Sequence, residues 1–223
     1  MTSRYIARIY FIILFVISLF ETRVFNFVSL NLFLAYIPLE LCFLLDLFKP
    51  RKKFEWPIFI IFALIFILLV PNTFYMVTDL IHLNQFTFDF YVQLNLTEWL
   101  YFTFLLLSVF FAIYCMALIF VHLSHFTSKL WLNRCLLIAL MFLNGLGIFM
   151  GRFLRFHTVH LITRPFTIIT EVIRALNGSS LIFISLMLQI QKPSFSSGLS
   201  QKEKFSACIT VKMLILSLGT SCE

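Results

Sequence analysis

Two short runs carry most of the side chains with which this chain could do chemistry. The first is Pro71-Asn72-Thr73-Phe74-Tyr75-Met76-Val77-Thr78-Asp79-Leu80-Ile81-His82-Leu83. Within it Asn72, Tyr75, Asp79 and His82 recur at steps of three and four, so a helix that continues past Pro71 sets all four on one face. Pro71 withholds a backbone N–H and tends to kink such a helix, which frees carbonyl groups for a ligand, a water or a neighbouring helix. The second run is Gly151-Arg152-Phe153-Leu154-Arg155-Phe156-His157-Thr158-Val159-His160, preceded by Asn144, Gly145 and Gly147. Arg152 and Arg155 share a helical face.

One run is acidic and the other basic, and that suggests pairing. Asp79 beside Arg152 or Arg155, at a boundary of low dielectric, makes a charge-assisted and bidentate contact. Two readings follow. In one, the pair only locks two helices together, as intramembrane polar groups often do. In the other, the arginines hold an anionic group in an outward-facing pocket, while Asp79 and His82 handle protons or a cation. A metal site is the weaker reading. Asp79 and His82 are three apart, as are His157 and His160, but nearby arginines repel a cation. No metal and no cofactor are therefore expected. Catalytic signatures such as GxSxG, HExxH, a P-loop or GxGxxG are absent, which leaves open whether the chain is an enzyme.

The elements that position these residues are long apolar runs. About 20 residues at 1.5 Å rise cross the hydrocarbon core of a bilayer. Six runs qualify: Tyr5–Phe20, Phe25–Leu47, Trp56–Val77, Trp99–Val121, Trp131–Met150 and Ile168–Ile190. The fold class is all-α, a polytopic transmembrane helix bundle of about six spans over residues 1–191. Residues 192–223 form a Ser-rich, poorly ordered cytoplasmic tail whose apolar stretch, Ile209 to Leu218, is too short to span. The first run follows Arg4 and Arg8 like a signal peptide, but Ser18-Leu19-Phe20-Glu21-Thr22 lacks a small-x-small cleavage pattern, so it reads as a retained helix. The three tryptophans each open a run, where an amphipathic ring prefers the headgroup level. Glu40, behind Pro38, should face the bundle interior and be neutral there, because burial disfavours the charged form. Glu171 and Arg174, three apart, make a local ion pair.

Composition agrees. Of 223 residues, 61% are hydrophobic and 12% charged, with 30 Phe and a mean hydropathy of +0.99. A soluble domain carries about a quarter charged residues. The formal net charge of +7 is scattered in short segments between apolar runs, so it serves orientation and anionic headgroups, and no nucleic-acid partner is expected. With Lys49, Arg51, Lys52, Lys53, Lys129 and Arg134 on one side, the positive-inside bias puts both termini in the cytoplasm. Cys42, Cys115, Cys135, Cys208 and Cys222 show neither CxxC nor zinc spacing.

The run PNTFYMVTDLIHL at Pro71–Leu83, followed by GRFLRF at Gly151–Phe156, resembles an uncharacterised family of bacterial membrane proteins, domain of unknown function 1361. The likeness runs from the second apolar run to the sixth and excludes the tail. The first motif is the more specific. After the second, family members tend to carry an Asn-Ser-Trp-Asp type segment, where this chain has His157-Thr158-Val159-His160. The resemblance implies a multi-pass protein of the bacterial inner membrane and supplies no activity, substrate or catalytic residue. Three functions stay open: a transporter-like or ligand-binding protein with an outward-facing polar site, a membrane enzyme acting on a lipid or envelope precursor, and a structural or assembly partner. The lipid bilayer is the one partner all three require; oligomeric state is open.

Overall fold

Apolar runs with no competing polar pattern have one way to satisfy their backbone away from water, the α-helix. The computed structural model describes residues 2–20, 26–86, 95–154 and 165–199. Among these residues seven α-helices follow in order: α1 Thr2–Phe20, α2 Asn26–Leu44, α3 Trp56–Tyr75, α4 Leu96–Ser124, α5 Leu130–Phe153, α6 Pro165–Ala175 and α7 Gly178–Leu199. No strand occurs among the described residues. Among the described residues five stretches are long and apolar enough to cross a membrane: Ser3–Phe20, Phe27–Leu44, Lys53–Gln85, Leu96–Ser124 and Leu130–Phe153. Trp56 opens α3, and Trp99 and Trp131 lie in the first turns of α4 and α5, all three exposed on the outside of the bundle.

Helix α4 is the hub. Its apolar window is 72% buried, against 17% for α1, and α1, α2, α3, α5 and α7 all pack on it. Met116, Ile119, Phe111 and Phe120 of α4 form the centre of the core, with Leu32 and Leu39 of α2 and Phe74 of α3. Side-chain hydrogen bonds hold the register. The Thr73 hydroxyl donates to the Ala35 carbonyl at 3.0 Å, tying α3 to α2. Asn144 Nδ2 donates to Gln191 Oε1 at 3.1 Å, tying α5 to α7. Asn133 closes the turn from α4 to α5, donating to the carbonyls of Ser124 and Thr127 at 2.7 and 2.9 Å. Cys42 and Cys115 are buried free thiols, and Cys135 is an exposed one.

The structure departs from the sequence expectation in three places. The sixth run, Ile168–Ile190, is not one helix. It breaks after Ala175, and α7 starts afresh at Gly178. There the Asn177 side chain accepts from the Ser180 N–H at 2.9 Å while the Ser180 hydroxyl accepts from the Asn177 N–H at 2.8 Å. This reciprocal cap competes successfully with helix continuation. Pro71 lies inside α3, as the run Trp56–Val77 has it, but the α-helix ends at Tyr75. The chain then tightens into a 3-10 helix over Met76–Gln85, ten residues long, where three or four are usual.

Glu40 is the third departure. Its carboxylate is not isolated in the interior but accepts from Arg4 Nη2 at 2.6 Å and from Arg8 Nε and Nη2 at 2.8 and 2.9 Å. The Tyr36 hydroxyl also donates to it. Arg4 and Arg8 are one turn apart on α1, so both reach the same acceptor. The expectation of a neutral carboxyl rests on burial, which disfavours the charged form. Pairing to two guanidinium groups offsets that cost.

Candidate functional site

The far end of the bundle from Arg4 holds the residues that the sequence singled out. Asp79 lies on the 3-10 segment with its side chain 1% exposed, and Arg152 on the last turn of α5 with 19%. Arg152 Nη2 donates to Asp79 Oδ1 at 2.8 Å. The same guanidinium donates to the Thr78 hydroxyl, from Nη2 at 2.6 Å and from Nε at 3.1 Å. Asn31 of α2 fills the other carboxylate oxygen, its Nδ2 donating to Asp79 Oδ2 at 2.7 Å. The Arg152 guanidinium also lies over the Tyr75 ring, 4.6 Å from the centroid, a cation–π contact that holds its plane. Thr78 in turn donates to the Tyr75 carbonyl at 2.6 Å. Three elements, α2, α5 and the 3-10 segment, thus converge on one ion pair.

Close backbone approach makes that convergence possible. A Cβ built on Gly147 would come within 2.7 Å of Pro71 Cβ and 2.9 Å of its Cγ; one on Gly151 would come within 3.1 Å of Tyr75 Cε2. Gly147 and Gly151 are four apart on α5, the spacing at which small residues let two membrane helices touch. They seat α5 against the end of α3, and Arg152, next in the chain, is delivered over Tyr75.

The predicted face is only partly kept. In a 3-10 helix, residues three apart eclipse, so Met76, Asp79, His82 and Gln85 form one ridge. Met76 and Asp79 are its buried part. The His82 ring lies 4.3 Å from the Phe27 centroid, with Gln85 Nε2 3.4 Å from its Nδ1. Asn72 is half-buried on α3; among the described residues, no hydrogen bond joins it to Asp79 or Arg152. Arg155, His157 and His160 lie outside the described residues. Among those described, no three His, Cys, Asp or Glu side chains cluster as metal ligands.

Asn31 and Thr78 were missed in the sequence. A polar amide inside an apolar run is itself a signal of a functional or bridging residue, and Asn31 met that description. Nothing local, however, says that α2 is rotated to bring it to Asp79.

Residues 30–192 match the model of a family described as "Protein of unknown function (DUF1361)". The chain belongs to this family. The DUF1361 match takes in Asn31, Glu40, Asp79 and Arg152 and stops at the start of the tail, whereas Arg4 and Arg8 of α1 precede it. No curated protein and no solved structure matches the chain.

Proposed function

We propose that this DUF1361 protein is a ligand-binding, transporter-like protein of the bacterial cell membrane, with both termini in the cytoplasm and an outward-facing polar site in which Arg152 reads an anionic group. The observation that carries the reading is the state of the Arg152 guanidinium. It is held from one edge by Asp79 and Thr78 and from its face by Tyr75, while the side chain keeps 19% of its surface exposed. A fixed guanidinium plane with donors to spare suits bidentate recognition of a carboxylate or phosphate. Both Asp79 oxygens already accept hydrogen bonds, so in this reading Asp79 positions the arginine rather than carrying protons. The orientation rests on the Lys and Arg bias toward the segments at the Arg4 end.

A test is ligand-dependent stabilisation of the purified protein in nanodiscs, titrated with glycerol phosphate and with short-chain carboxylates. Binding raises the unfolding midpoint with ligand concentration. Wild type should show that rise. Arg152→Lys should lose it while retaining the ion pair with Asp79, because an ammonium lacks the planar fork. An unchanged response in Arg152→Lys, or none in wild type, would remove the proposal. A second reading, a purely structural lock between helices, draws support from the same saturated Asp79 and is what that negative outcome would leave standing.

A further inference from the structure

Helix α6 combines two surfaces that no single environment within the bundle can satisfy. It is 11 residues long, about 16 Å at 1.5 Å per residue, roughly half the hydrocarbon thickness. Pro165 opens it, and the Asn177–Ser180 cap separates it from α7. Phe166 and Ile173, seven residues apart and therefore on one face, are 83% and 64% exposed, and Leu176 just beyond is 41% exposed. Around the helix from them stand Glu171 and Arg174, ion-paired at 3.3 Å with side chains 43% and 77% exposed. Among the described residues α6 takes no part in the principal helix-to-helix packing that joins the other six.

Each simple placement leaves one of these surfaces in the wrong medium. In water, Phe166 and Ile173 remain as uncovered apolar area. Across the acyl core, Glu171 and Arg174 lie in hydrocarbon. The boundary between headgroups and acyl chains suits both at once. We propose that α6 is an interfacial helix, lying in the plane of the membrane with Phe166 and Ile173 in lipid and Glu171 and Arg174 among the headgroups. The occupant of its apolar face is phospholipid. The leaflet is the one at the Arg152 end, because Phe153 of α5 packs on Phe183 of α7, their centroids 4.9 Å apart, and α6 connects those two helix ends. This inference needs only that the bundle is in a membrane and does not rest on the ligand-binding proposal.

The test uses the full chain in proteoliposomes of phosphatidylethanolamine and phosphatidylglycerol. A photo-reactive benzophenone amino acid replaces Phe166, Ile173, Glu171 or Arg174 one at a time, and adducts are read by mass spectrometry. Each variant is checked by its gel-filtration profile. Positions 166 and 173 should form roughly tenfold more phospholipid adduct than positions 171 and 174, as a helix with one face in lipid requires. Equal lipid adducts at all four positions would mean that α6 is inserted across the bilayer. Adducts from 166 and 173 to protein, whether this chain or a second copy, would mean that the face is a protein contact. No adduct at either would mean that it faces water. Any of these three results overturns the proposal.

Discussion

Asp79 is the residue on which the far end of the bundle depends. Its carboxylate is buried and has three polar neighbours, Arg152, Asn31 and, through the shared guanidinium, Thr78. Replacing one member of a buried pair leaves the other as an uncompensated charge. Asp79→Asn is therefore expected to lower stability by about 3 kcal/mol, read as a fall in the unfolding midpoint in detergent. Adding Arg152→Gln to it should recover part of that loss, because the stranded guanidinium is gone; strict additivity of the two losses would show that they do not interact. The charge pair was legible in the sequence, since an acidic and a basic run at the same end of neighbouring spans have few other partners. Asn31 was not, because its role depends on the rotation of α2 about its own axis, which long-range packing decides.

Among the elements, the seam between α3 and α5 sets the distance over which Arg152 must reach. Gly147 meets a proline ring, which cannot swing aside as a flexible side chain could. Gly147→Ala should force the helices apart and cost about 1–3 kcal/mol, the usual range for overpacking. Gly178→Ala is the control, because nothing lies within 4 Å of a Cβ built there; it should be neutral to mildly stabilising in the same unfolding assay. Equal losses in both would disconnect the effect from the seam. Apolar length identified the helices correctly, yet it joined α6 and α7 into one run. The information was present in Asn177-Gly178, a pair that favours turns and caps, but the surrounding Leu, Ile and Val outweighed it. At Pro71 apolar length served well: the run Trp56–Val77 passes through this strong breaker, and α3 absorbs it within its last turns.

At the scale of the whole molecule, charge is concentrated at the two ends of an apolar bundle. The Arg4 end joins α1 to α2 through Glu40, and α1 also leans on α4 through the Tyr10 hydroxyl to the Leu107 carbonyl at 2.8 Å and the Tyr114 hydroxyl to the Ser3 carbonyl at 3.2 Å. Glu40→Gln removes the one acceptor that two guanidinium groups share. It should loosen α1 and speed labelling of the buried Cys115 thiol by a membrane-permeant maleimide; an unchanged rate would mean that apolar packing alone docks α1. With both termini in the cytoplasm, as proposed above, the order of the helices predicts which connections face outside. A phosphatase active only outside the cytoplasm should work when fused after Gln85 and after Leu154 and fail after Phe126. Activity at just one of the first two sites would contradict the Asp79–Arg152 contact itself.

The ten-residue 3-10 segment makes that contact depend on how the backbone is wound. Residues advance by 120° each in this conformation and by 100° in an α-helix, so unwinding to α geometry from Tyr75 would swing Asp79 through roughly 80° and shorten the segment from about 20 Å to about 15 Å. The carboxylate would leave both Asn31 and Arg152 behind. Ion pair and tight coil thus stand or fall as a unit: cutting the first should release the second, and faster amide hydrogen exchange across 76–85 in Asp79→Asn would register that release.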